Sequence, residues 1–241
     1  MKKPLLALLL LPVAVYAFGE ELRLDSANID PQDAISIQRG ARTFVNYCLN
    51  CHSANAMRYN RLMDLGLTEE QIKDNLLFTA EKVGDAMTIS ANRKDQKQWF
   101  GVEPPDLSVI ARSRSTDWLY TYLRTFYRDE KRSTGWNNLA FPNVGMPHAL
   151  WQLQGIQTIK SEIEEHDGHK SEHRTLVLAT PGSLSALEYD NVTRDLVNFL
   201  SYMAEPERTK RSQIGILVLL FLLLLLAPAW LLKKEYWKDV H

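Results

Sequence analysis

The sequence predicts a mainly α-helical exported domain carried on one C-terminal transmembrane helix. Three observations predict it. Residues 214–232 form an apolar run that no charge interrupts. The N-terminus pairs two lysines with a short apolar stretch and small residues, the pattern of an export signal. Between them, stretches beginning at Asp33, Thr116 and Asn191 carry apolar residues at helical spacing. The chain has 241 residues, 45% hydrophobic, with 28 basic and 29 acidic side chains and a net charge of −1. That charge density is too low for a disordered chain. The balance argues against a general nucleic-acid binder. Two cysteines cannot staple a small secreted scaffold. The length suits one or two domains with a core of their own.

Residues 1–17 read as a secretory signal. Lys2 and Lys3 supply the positive start, and Leu5 to Val15 the apolar run. Val15-Tyr16-Ala17 places small residues at both recognition positions, so cleavage is expected after Ala17, leaving Phe18 first. The alternative is an uncleaved membrane helix, for which the run is short. The second apolar block, 214–232, spans about 28 Å as a helix, close to the hydrocarbon thickness of a bilayer. Its Pro228 lies near the far end, and Trp230, Tyr236 and Trp237 sit where interfacial aromatics belong. Lysine and arginine flank the span equally, so orientation follows from the signal: domain 18–213 exported, tail 233–241 cytoplasmic. The net charge then divides into +2 for the signal, −4 for the exported domain and +1 from residue 214 onward.

Residues 33–47 form the first expected helix, with Asp30 as cap, Pro31 in its first turn, and Ile35, Phe44 and Tyr47 near one face. Both cysteines follow, in Cys48-Leu49-Asn50-Cys51-His52. This is the CxxCH pattern of covalent haem attachment. Two intervening residues let both sulfurs reach the vinyl groups on one edge of the macrocycle, and the adjacent imidazole can then ligate iron from beneath. A thioredoxin-like pair would follow a strand, not a helix. A structural zinc site would need two further ligands, and the chain has no other cysteine.

The sixth ligand separates a carrier from a catalyst, because a methionine closes the position that ligand chemistry needs. Met57 follows His52 too closely to reach the opposite face easily. Met63, Met87 and Met203 lie in stretches that read as helical, where methionine usually fills core. Met146, in Phe141-Pro142-Asn143-Val144-Gly145-Met146-Pro147, sits in an irregular loop that could carry a thioether across a ring. A buried loop methionine fits the same local sequence.

Pro104-Pro105-Asp106-Leu107-Ser108 reads as a turn in which Asp106 or Ser108 could cap a helix, and a diproline could wall a flat cofactor. Arg112 and Arg114 are candidates for propionate pairing or plain surface charges. A second helix, 116–127, presents Trp118, Leu119, Tyr122 and Phe126. Residues 162–173, with His166, His169 and His173, read as a solvated loop, although a metal role is chemically open. A third helix covers 191–203, with Leu196, Phe199, Leu200 and Met203 on its face, and Ala204-Glu205-Pro206 ends it before the span. No repeat, phosphate loop or nucleophile elbow occurs.

Taken in order, CxxCH at Cys48, Pro104-Pro105-Asp106-Leu107-Ser108, Gly145-Met146-Pro147, Glu188-Tyr189-Asp190, Ala204-Glu205-Pro206 and the single anchor resemble the cytochrome c1 family, the haem subunits of the cytochrome bc1 complex. The resemblance covers nearly all the mature chain. It implies a class I cytochrome c-like haem domain with insertions plus one transmembrane helix. It implies one haem c, held by Cys48 and Cys51, with His52 and Met146 on the iron. It also implies Arg114 at a propionate, Pro105 against the haem, and Trp118 where many relatives carry a tyrosine. Residues 152–171 depart from the family pattern, and the extra disulfide of some relatives cannot form here.

The resemblance further implies a function. The chain would accept one electron from a Rieske iron–sulfur protein and pass it to a soluble cytochrome c or equivalent. It would sit beside cytochrome b in a dimeric quinol:cytochrome c oxidoreductase, at a bacterial inner membrane with the haem domain periplasmic. Two other functions share the motif: a membrane-anchored cytochrome feeding a terminal oxidase or reductase, and a haem peroxidase with an open distal site.

Overall fold

A computed structural model describes residues 22–166 and 169–238. The expected signal with its cleavage after Ala17 lies outside the described residues, as do the side chains of residues 162–173, among them His166, His169 and His173. The elements run α1 (Ala34–Thr43), a π-helical turn (Phe44–Cys48), β1 (Ala54–Arg58), a 3₁₀ segment (Tyr59–Leu65), α2 (Glu69–Asn75), β2 (Ala86–Met87), α3 (Arg93–Phe100), α4 (Ile110–Arg114) and α5 (Thr116–Arg124). They continue with β3 (Phe126–Arg128), β4 (Trp136–Asn138), α6 (Trp151–Gln154), β5 (Gly155–His166), β6 (His169–Pro181), α7 (Ala186–Ala204) and α8 (Arg208–Tyr236). Among the described residues, three two-stranded antiparallel sheets, β1–β2, β3–β4 and β5–β6, decorate a helical body. The expected mainly α domain with one long apolar C-terminal helix is what the chain forms.

The body is built on α1 crossing α7. Gly40 makes the close approach: a Cβ there would lie 2.0 Å from the Asp195 carbonyl oxygen and 2.7 Å from Phe199 Cβ. Around the crossing, Ile37, Ala41, Phe44, Leu196, Val197 and Phe199 are buried, and the Phe44 and Phe199 rings meet at 5.3 Å. Asp195 fixes the register, accepting from Ser36 Oγ at 2.6 Å and from Arg39 Nη2 at 2.9 Å.

The helix starts differ from expectation. Asp33, not Asp30, caps α1, accepting from the Ser36 amide at 2.9 Å. Asp30 instead accepts from the Gln32 amide, and Pro31 sits in that preceding turn. Two aspartates three apart offer the same capping chemistry, and only the turn between them decides. α7 begins five residues before the expected 191, because Ser185 and Glu188 form a reciprocal capping box. The second helix stops at Arg124, short of 127, and Phe126 enters β3.

Each residue of Glu188-Tyr189-Asp190 has a structural task. Glu188 closes the capping box. The buried Tyr189 hydroxyl donates to the Leu123 carbonyl at 2.8 Å, and Asp190 pairs with Arg124 at 2.6 Å. α5 is thereby tied along α7, which matters because α5 carries Trp118 and Tyr122.

Of residues 162–173, expected as a loop, 162–166 and 169–173 belong to the long β5–β6 hairpin, paired from Gly155↔Pro181 out to His166↔His169. Its inner arms, with Ile156, Thr158, Ile159, Thr175, Leu176 and Val177, have strand chemistry and carry the polar tip along. α7 breaks at Glu205, whose carboxylate receives Arg112 at 3.2 Å and Arg211 at 3.0 Å. α8 then runs on to Tyr236 and contains an 18-residue apolar window of mean hydropathy 2.8, unburied by the other described residues. A face apolar all round with no protein partner belongs in lipid.

Candidate functional site

The π turn sets the geometry of the CxxCH segment. It widens the helix by one residue immediately before Cys48, and the chain then tightens, with the Cys51 and His52 amides both donating to the Cys48 carbonyl at 3.0 and 2.9 Å. Segment 105–108 grips the backbone just beyond His52. The Leu107 amide donates to the Ser53 carbonyl at 2.9 Å, the Asn55 amide to Asp106 Oδ2 at 2.8 Å, and the Ala56 amide to Ser108 Oγ at 2.9 Å. Buried Gln96 donates to the Cys51 carbonyl at 2.9 Å from the other side.

Within this clamp, His52 Nδ1 lies 2.7 Å from the Pro105 carbonyl oxygen. A carbonyl only accepts, so Nδ1 carries the proton and Nε2 keeps its lone pair. The ring is thus fixed in the tautomer and orientation a metal ligand needs. Burial lowers the pKa of His52, against the opposing pull of the Pro105 carbonyl and Asp106, which favours the neutral, ligating form. The sequence points to the Pro105 ring as the contributor; in the fold its carbonyl does the positioning.

Neither thiol is activated by its surroundings. Burial, with Cys51 nearby as a second cause, pushes the Cys48 thiol up to about 12, and burial raises Cys51 as well. A thiol poised as a nucleophile is depressed instead. Among the described residues, no group of three or more His, Cys, Asp or Glu could hold a metal ion.

Met146 lies in the loop between β4 and α6, half-buried, and its sulfur accepts from the Tyr122 hydroxyl at 3.3 Å. The other methionines are placed differently. Met57, Met87 and Met203 are buried at 2%, 0% and 6% exposure as core filler, whereas Met63 is 47% exposed. Met63 lies in the 3₁₀-helical segment, and Met87 stands in the short strand β2, not in a helix as expected.

Two buried asparagines shape the Met146 loop. Asn138 Oδ1 accepts from the Ala140 and Phe141 amides at 2.8 and 3.0 Å, and its Nδ2 donates to the Tyr122 carbonyl at 2.7 Å. Asn137 Oδ1 accepts from the Asn143 amide at 2.8 Å, holding that residue at φ 64°. A Cβ on Gly145 would lie 2.8 Å from Val102 Cγ1. The loop therefore abuts the segment that leads to Pro105. Next to it, His148 lies flat on Phe126 at 4.8 Å and edge-on to Trp136; burial lowers it to about 4, so it is a neutral packing group.

Arg114 is exposed, with its guanidinium 5.0 Å from the Trp118 ring and 5.8 Å from Phe141. No carboxylate pairs with it among the described residues, so its charge remains available to an anion such as a propionate. Arg112, the other candidate, is committed to Glu205. Trp118 stacks on Tyr122 at 4.9 Å and 11°.

These groups suit a covalent haem. Two thiols, an imidazole with a bare Nε2, a thioether on a loop that abuts Val102 and an unneutralised arginine make a coherent donor set. Sequence reasoning missed the Tyr122–Met146 hydrogen bond and the roles of Asn137, Asn138 and Gln96. One signal was there: adjacent asparagines in a stretch otherwise set by Trp136, Leu139 and Phe141.

The model of a family described as the Cytochrome C1 family matches residues 26–176 and 184–240. A cytochrome c1 from Allochromatium vinosum is 50% identical, with all of both chains covered. A protein of Nitrosomonas europaea named ammonia monooxygenase gamma subunit is also 50% identical, over 98% of this chain and 97% of its own. A cytochrome c1 from Rhodospirillum rubrum is 27% identical over 86% of this chain and 83% of its own.

Proposed function

The chain belongs to the cytochrome c1 family, the haem-bearing electron-transfer subunits of bc1-type complexes, and we propose that Cys48 and Cys51 attach its haem c while His52 and Met146 ligate the iron. When bound, the haem supplies a one-electron ferric/ferrous couple. The protein's part is to fix both axial donors. The Pro105 carbonyl orients His52, and the Asn137–Asn138 pair orients the loop of Met146. Ligands held this firmly move little when one electron enters and one leaves, and with the sixth position taken no substrate can bind there. Arg114, with Trp118 beneath its guanidinium, would pair with a propionate, and Pro105 would flank the ring.

The electron arrives from a Rieske iron–sulfur protein and leaves to a soluble cytochrome c or equivalent, with cytochrome b as the neighbour in the membrane. Residues 18–213 form the periplasmic domain, 214–232 span a bacterial inner membrane, and 233–241 end in the cytoplasm. Residues 1–17 are the export signal.

The observation that carries this reading is the His52–Pro105 hydrogen bond, which leaves Nε2 bare directly after the CxxC pair. The test is purification of the tagged full-length chain in mild detergent. Cytochrome b and a Rieske subunit should co-purify, and quinol should reduce the haem. Co-purification with an oxidase or a monooxygenase in their place would overturn the assignment.

A further inference from the structure

We propose that Tyr122 is a positioning residue for the sixth ligand, its hydroxyl setting how strongly the Met146 sulfur donates and so biasing the haem toward its reduced state. This rests on Met146 being that ligand. A thioether sulfur has two lone pairs. If one faces the iron, the Tyr122 hydroxyl at 3.3 Å engages the other and draws density from it. Ferric iron depends on that donation more than ferrous iron does. A hydrogen bond on the sulfur therefore costs the oxidised state more and raises the potential.

The surroundings hold Tyr122 to this task. Its ring is stacked on Trp118 at 4.9 Å and set edge-on to Phe126 at 5.0 Å. Its carbonyl is held by Asn138, the residue that also shapes the Met146 loop. Donor and acceptor are thus fixed to one another through a shared asparagine. Tyr122 also joins the two apolar cores, packing against the main one and against the Phe126, Trp136 and Val144 cluster. Filling that space needs only a phenyl ring. A part-buried phenol whose partner is a weak acceptor such as a thioether gives up most of a normal hydrogen bond. That sacrifice has a purpose if the sulfur is a ligand. Trp118, at the position where a tyrosine is common in the family, acts here as the platform for Tyr122.

The test is an equilibrium redox titration of Tyr122→Phe in the full complex, read by haem absorbance, with Trp118→Leu alongside. Tyr122→Phe keeps the ring and should keep the sulfur-to-iron charge-transfer band of the oxidised protein. At fixed ambient potential the reduced-to-oxidised ratio should fall about two- to tenfold, tenfold being about 59 mV for a one-electron couple. Trp118→Leu, which frees the Tyr122 ring, should shift the ratio the same way by a smaller factor. An unchanged or raised ratio in Tyr122→Phe, with the band intact, would overturn the inference alone. If Tyr122→Phe does not assemble, an unchanged Trp118→Leu ratio overturns it. Absence of the band from the wild-type protein would overturn the Met146 assignment beneath it.

Discussion

Asn138→Ala should loosen the Met146 loop while leaving the helical body intact. Asn138 is 1% exposed and its amide makes four hydrogen bonds. Not all of them count equally. Thr125 Oγ1 also donates to the Thr121 carbonyl at 2.8 Å, so it loses little. Phe141 lies at the exposed rim, where its amide can reach water. The Ala140 amide and the Tyr122 carbonyl remain, each costing about 1–3 kcal/mol when stripped of a partner inside the protein. The Tyr122 carbonyl keeps a 3.3 Å contact from the Thr125 amide, which puts it at the low end of that range. The total is about 2–3 kcal/mol, or about 5–10 °C for a domain of this size. The assay is thermal loss of the sulfur-to-iron charge-transfer band in the detergent-solubilised complex, which reads the loop directly. Asn138→Asp, which keeps the acceptor but sets a buried carboxylate oxygen against the Tyr122 carbonyl, should be at least as destabilising as Asn138→Ala. A shift under about 2 °C in Asn138→Ala, below what 1 kcal/mol gives, would show that the asparagine does not shape the loop.

Two further substitutions probe the scaffold. Gly40→Ala puts a methyl 2.0 Å from the Asp195 backbone oxygen, which cannot rotate away, so α1 and α7 must part; a loss of about 3 kcal/mol or more, seen as early proteolysis of the domain, is expected, and wild-type resistance would contradict the crossing. Asp106→Ala removes the acceptor for the Asn55 and Ser108 amides at a solvent-facing site, so it should cost about 1 kcal/mol and lower the yield of haem-loaded protein; unchanged yield and unfolding midpoint would show that segment 105–108 clamps nothing.

What was legible in the sequence shares one property: it depends on neighbours in the chain. CxxCH is readable because the covalent chemistry fixes the spacing of its own residues. The apolar anchor and the face of α7 are readable from composition and period alone. The rest depends on partners far apart in sequence. Tyr122 and Met146 are 24 residues apart, and Asn138 is 16 from the carbonyl it holds. Pro105 shows a second limit, because its contribution is a backbone carbonyl, and side-chain identity says nothing of where a carbonyl points. The β5–β6 hairpin shows a third. Its polar tip has no strand signal of its own and is carried by the branched residues of the inner arms. The α1 cap was ambiguous for a local reason, since Asp30 and Asp33 are equivalent until the Pro31 turn is placed.

The most direct test of electron carriage by a His52–Met146 centre is the absorbance spectrum of the oxidised protein, wild type against Met146→Ala. The wild type should be low-spin, carry the sulfur-to-iron charge-transfer band and ignore added carbon monoxide when reduced. Met146→Ala should lose the band and bind carbon monoxide, with haem still attached through Cys48 and Cys51 on a denaturing gel. A wild-type protein that is high-spin and binds carbon monoxide readily would contradict it and point to ligand chemistry at an open iron.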